Sequence, residues 1–171
     1  LSWRPGAAGG ADDREATAGE EGGGFSRRER VRVVAFTAIP ASLLLGVTNY
    51  VLTDIASLPL FWVIPLALYL GTFIYAFGRA TREAPMWAGR VLALCSLFIM
   101  VALAAEATTP AALLIPLHLL VFTLGSLLCH LRVASLAPGP KHLPQFYVAV
   151  SLGGALGGIV TLLAPPLLTA R

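Results

Sequence analysis

Hydrophobic residues run through this chain in five long blocks separated by short polar interruptions. The blocks cover about Val33 to Val51, Ile55 to Phe77, Trp87 to Ala105, Ala111 to Ala134 and Phe146 to Leu168. Each is close to the ~20 helical residues needed to cross a hydrocarbon core. Runs such as LFWVIPLALYLGTFIYAF lack the alternation of barrel strands and suit helices, which satisfy their own backbone hydrogen bonds in lipid. The pattern predicts an all-α fold: a polytopic transmembrane helix bundle of about five spans, filling residues 31–171.

Residues 1–30 follow a different pattern. Gly-Gly and Gly-Gly-Gly runs mixed with acids and alanine offer too little apolar surface to offset the entropy of ordering. This stretch reads as a disordered linker or an inter-span loop. A secretory signal would put a basic patch before a short apolar stretch, whereas an acidic, glycine-rich stretch comes first here. The chain opens on Leu1, ends on Arg171 and holds an odd number of spans, so it reads as a segment of a longer protein with further spans elsewhere.

Composition reinforces the membrane reading. The chain is 57% hydrophobic and only 12% charged, with a mean hydropathy of +0.78, whereas soluble domains carry about 25% charged residues. The lipid bilayer is the expected partner, and no nucleic-acid partner is expected.

The cations then set an orientation. Arg27, Arg28, Arg30 and Arg32 precede the first span, Arg79, Arg82 and Arg90 flank the second loop, and Arg132 and Lys141 lie in the fourth. The first and third loops, around Thr53-Asp54 and Glu106 to Thr109, hold no Lys or Arg. For an inner-membrane protein the positive-inside rule predicts an N-terminal side in the cytoplasm.

Polar groups within apolar spans are candidates for function because they are costly in lipid. His118 lies about two turns, roughly 10 Å, in from the outer end of the fourth span. Asn49 and Asp54 sit near the outer end of the first span, and with His118 they form a candidate intramembrane polar site. A proton or cation relay through Asp54 and His118 is one reading; the preferred one is an interhelical hydrogen-bonded contact with carboxylates reaching headgroup water.

The fifth span carries SLGGALGG, which puts Gly153 with Gly157, and Gly154 with Gly158, on shared helical faces. Small residues four apart let a second helix approach closely. No strand precedes them with phosphate-loop spacing, so helix packing is the expected role. Prolines at Pro40, Pro59, Pro65, Pro116, Pro165 and Pro166 predict kinks within a bundle whose neighbouring helices re-satisfy freed carbonyls.

The turn between the fourth and fifth spans gathers His130, Arg132, Lys141 and His142 around Pro138-Gly139-Pro140. Anchoring at anionic headgroups is the expected role of these cations, and a docked soluble domain would meet them here. His118 and Cys129 share a face but stand roughly 16 Å apart along the axis, too far to hold one metal ion. Cys95 and Cys129 read as free thiols, and no metal or other cofactor is expected.

The stretches SLLLGVTNYVLTDIASLPLFWVIPLALYLGTFIYAF, LHLLVFTLGSLLCHLRVASLAPGPKHLPQFY and SLGGALGG resemble the membrane region of bacterial fused transporter-like/spermidine synthase-like proteins. The resemblance covers most of Arg30 to Leu168. It implies further N-terminal spans and a cytoplasmic C-terminal domain similar to aminopropyltransferases. No glycine-rich nucleotide loop after a strand and no acidic catalytic segment is found in this chain, so no catalytic residue can be assigned. The function expected is an integral membrane module that anchors or serves a cytoplasmic polyamine-related domain. The alternative is part of a transporter for a small cationic or amphipathic solute.

Overall fold

The computed structural model describes residues 25–51, 53, 60–78, 85–105 and 111–169. Residues 1–24 of the linker expected over residues 1–30 lie outside them, as do Asp54, Pro59 and Glu106. Five α-helices account for most of the described chain, and no strand occurs among the described residues.

Helix α1 spans Arg27–Tyr50, beginning several residues before the apolar block. Its start is fixed by a capping box: the Glu29 amide donates to the Ser26 hydroxyl at 3.3 Å, and the Ser26 amide donates to the Glu29 carboxylate at 2.8 Å. This reciprocal pair satisfies two amides that a helix N-terminus otherwise leaves without partners. The basic turn Arg27 to Arg30 is therefore helical, a correction to the linker boundary at residue 30.

Helix α2, Val63–Gly78, has 16 residues and an expected length of about 24 Å. It is shorter than the apolar block that contains it, because residues 60–62 form a turn, with Leu60 in the left-handed region at φ 72°. Pro65 stands in its first turn, where a missing amide disturbs no helical bond. Helices α3, Met86–Ala104, and α4, Ala111–Ser135, lie close to their expected limits. A 3-10 turn, Pro140–His142, then leads into α5, Leu143–Thr169. The α5 helix begins three residues before the apolar block, with Pro144 tolerated in its first turn. Helices α1, α3, α4 and α5 are long and apolar enough to cross a membrane, and α2 is a shorter apolar helix.

Successive helices run in opposite directions, so the start of α1, the end of α2, the start of α3, the end of α4 and the start of α5 share one end of the bundle. Aromatic rings mark this end: Phe146 meets Phe25 at 6.1 Å and Phe77 at 6.3 Å between ring centroids. Phe25, Val33, Val133, Phe146 and Ala149 form the core beneath them. Every described Lys and Arg lies toward this basic end: Arg27, Arg28, Arg30, Arg32, Arg90, Arg132 and Lys141.

The most extensive packing joins α1 to α5, while α4 lies centrally against α1, α2 and α3. Helices α1 and α3 both flank α4 without packing on each other. A cleft consequently runs between them with α4 as its floor.

Candidate functional site

Gly125 of α4 is buried, and a Cβ placed there would meet the Leu43 side chain of α1 at 3.5 Å and the Leu92 side chain of α3 at 4.0 Å. Two chambers open along the cleft, one toward the end opposite the cations and one toward the basic end.

The first chamber has a volume of about 550 Å³ and includes Leu43, Tyr50, Ile99, His118, Phe122 and Val160 in its walls. Apolar side chains dominate it. His118 is buried at 5% exposure, and its Nδ1 donates to the Leu114 carbonyl at 2.7 Å. Because a carbonyl only accepts, Nδ1 carries the proton in this contact. Nε2 is buried without a partner among the described residues. The Tyr50 ring covers the imidazole at a centroid distance of 4.8 Å.

Asn49 and His118 of the candidate polar site share no hydrogen bond with each other. Asp54 lies outside the described residues. Asn49 is exposed, and its backbone carbonyl accepts from the Thr53 hydroxyl at 2.7 Å. One position along a helix turns a side chain by about 100°, so Tyr50 meets His118 while its neighbour Asn49 is turned away. The sequence reading missed Tyr50, although an aromatic residue at the end of a span was an available signal.

His130 also takes a different place from the loop expected for it. It is an interior residue of α4, at 0% exposure. The Thr72 hydroxyl donates to the Tyr69 carbonyl at 2.8 Å, which leaves that oxygen free to accept from His130 Nδ1 at 3.0 Å. A hydroxyl has one proton, so this ordering accounts for both contacts. The rings of Tyr69 and Phe73 meet the imidazole edge-on at 4.9 and 5.3 Å. His130 is thus a buried link between α2 and α4, and its position within the apolar block of the fourth span was the signal for this.

Arg132 belongs to the last turn of α4 and is exposed. Lys141 and His142 lie in the 3-10 turn, the first exposed and the second half-buried.

The glycines of α5 divide by face. A Cβ at Gly153 would overlap the Thr37 hydroxyl and come within 2.5 Å of the Val34 carbonyl oxygen. One at Gly157 would collide with the Ala38 carbonyl oxygen and stand 3.0 Å from the Ala41 Cβ. These two glycines let α5 lie directly on the α1 backbone. Gly154 meets nothing within 4 Å, and Gly158 meets only Leu45 at 3.8 Å. Farther along the same seam the Ser42 and Thr161 hydroxyls are 2.7 Å apart, and the Thr161 hydroxyl also lies 3.0 Å from the Gly157 carbonyl.

The outward surface is apolar, with Ile74 and Leu94 each 70% exposed and Leu162 75% exposed. Such side chains are ordinary facing lipid. Among the described residues no three His, Cys, Asp or Glu side chains gather as a metal site. The chain is a polytopic helical membrane protein. No protein family, curated protein or solved structure matches it.

Proposed function

We propose that these helices form the integral membrane module of a spermidine synthase-like protein, anchoring or serving a polyamine-related domain in the cytoplasm. The observation that carries this reading is the collection of every described Lys and Arg at one end of the bundle. In a bacterial inner membrane that end faces the cytoplasm under the positive-inside rule, which puts the N-terminal side there as well. Arg132 and the Pro140–His142 turn then lie where a soluble domain would dock. The α1–α5 seam, with Gly153 and Gly157 against the α1 backbone, supports a rigid anchor. The resemblance of the three long motifs supplies the enzymatic class of the domain.

A second reading, part of a transporter for a small cationic or amphipathic solute, is favoured by one observation, the chamber of about 550 Å³ beside His118 and Tyr50. Its apolar walls suit the apolar part of an amphipathic solute better than a bare cation.

Both readings are tested by reconstituting the full-length protein in vesicles and measuring labelled polyamine uptake beside aminopropyltransferase activity. Transferase activity without uptake supports the anchor. Uptake that falls in Asp54→Asn and His118→Ala supports the transporter and the relay. Absence of both activities overturns both readings.

A further inference from the structure

The second chamber of the cleft lies at the basic end, where the first proposed reading uses Arg132 only as part of a docking surface. It has a volume of about 430 Å³ and is lined by Phe36 of α1, Pro85, Met86 and Gly89 at the start of α3, and Leu128, Cys129 and Arg132 of α4. Phe36, Pro85, Met86 and Leu128 make its walls largely apolar. Arg132 contributes directly to the lining. Arg32 stands one turn before Phe36 on the same face of α1, and Arg90 follows Gly89 in α3; all three arginines are exposed. Glu29 is the only described carboxylate, and it is engaged in the cap of α1. Glu83 lies outside the described residues.

We propose that this chamber is a binding site for one anionic phospholipid, with its phosphate held by Arg132 and Arg32 and an acyl chain lying in the apolar cleft. Charge complementarity selects this occupant. A transmembrane helix would bring apolar side chains to arginines that need an anion, and a zwitterionic lipid would bring its own cation to the same place. The arginine fork matches a phosphate in two hydrogen bonds, and each basic group near an anionic membrane surface favours binding by about fivefold. Long Arg90 and Arg32 side chains can rest their stems on apolar surface while their heads reach the phosphate level. This inference is independent of the cytoplasmic domain and of solute transport.

The test uses the full chain in nanodiscs of phosphatidylcholine doped with phosphatidylglycerol, followed by native mass spectrometry of retained lipid. Preferential retention of a single phosphatidylglycerol is expected. The Arg32→Gln/Arg132→Gln variant is expected to lose about fivefold of that preference per charge. Gly89→Leu should abolish retention with its charges intact, since a Cβ at Gly89 meets nothing within 4 Å and the longer side chain can enter the chamber without a clash. Cys129 supplies a readout that does not depend on mass spectrometry. In a Cys95→Ala background, phosphatidylglycerol should slow alkylation of Cys129 by N-ethylmaleimide relative to phosphatidylcholine alone, and soluble glycerophosphate should not. Equal retention by wild type and the double-arginine variant, unchanged alkylation in the two lipids, or equal protection by glycerophosphate would each overturn the proposal.

Discussion

Thr72 and His130 are joined by a hydrogen bond of 3.0 Å that ties α2 to the central helix α4. Both residues are buried, and the direction of the bond is fixed by the Thr72 proton being committed to the Tyr69 carbonyl. His130 therefore donates from Nδ1, and its Nε2 is buried without a partner among the described residues.

That direction predicts an asymmetry between two substitutions. Thr72→Val removes the acceptor and leaves a buried Nδ1–H unpaired, a loss of about 1–3 kcal/mol. His130→Phe removes the donor while retaining a ring between Tyr69 and Phe73, so it should cost less. Unfolding in mixed micelles measures both, and nitrogen NMR of labelled histidine should show His130 of the wild type as the Nδ1-protonated tautomer. A larger loss in His130→Phe would reverse the assignment.

The Ser42–Thr161 pair gives a smaller effect. Its hydroxyls are 2.7 Å apart across the α1–α5 seam, but Thr161 also has a carbonyl partner in its own helix at Gly157. Interhelical hydrogen bonds in membrane proteins average about 0.6 kcal/mol by double-mutant cycle. A cycle through Ser42→Ala and Thr161→Val should give coupling of about that size, and coupling well above about 1.7 kcal/mol would contradict it.

The basic end depends on the Phe146 ring, which is at 0% exposure in a core with Phe25, Val33 and Val133. Phe146→Ala should destabilise the bundle by about 3–5 kcal/mol. Ser26→Ala, which breaks the capping box at the same end, should cost about 1 kcal/mol. Thermal unfolding of the two variants in one detergent checks that order.

Much of this architecture is legible in the sequence, for a reason rooted in the solvent. Lipid demands helices with satisfied backbones, so apolar blocks of sufficient length translate almost directly into α1, α3, α4 and α5. The start of α1 was missed because apolar periodicity ends before the basic turn, although Ser26-x-x-Glu29 spells the cap that extends it. The His130 contact was less readable, since it joins helices distant in sequence and a Pro-Gly turn nearby drew the residue toward the loop. Polarity alone points to Asn49 as the partner of His118, whereas helical phase turns Tyr50 toward it. The approach of Leu43 and Leu92 to Gly125 involves three helices, which a linear pattern does not encode.

The glycine pairs of α5 provide the sharpest contrast, because the sequence gives both pairs equal standing and the fold does not. Gly153 and Gly157 face α1, where an added methyl group would meet the Val34 and Ala38 carbonyl oxygens. Backbone atoms cannot swing aside as a flexible side chain can, so relief requires α5 to move away from α1 along the seam. Gly153→Ala and Gly157→Ala should each destabilise the protein by about 1–3 kcal/mol, the usual range for overpacking. Gly154→Ala meets no atom within 4 Å, and replacing a mid-helix glycine by alanine favours the helix, so it should be neutral or stabilising by up to about 1 kcal/mol. Unfolding of the three variants, with a fluorescence distance measured between α1 and α5, checks the reasoning. Equal effects at Gly153 and Gly154 would remove the seam as the explanation of these glycines.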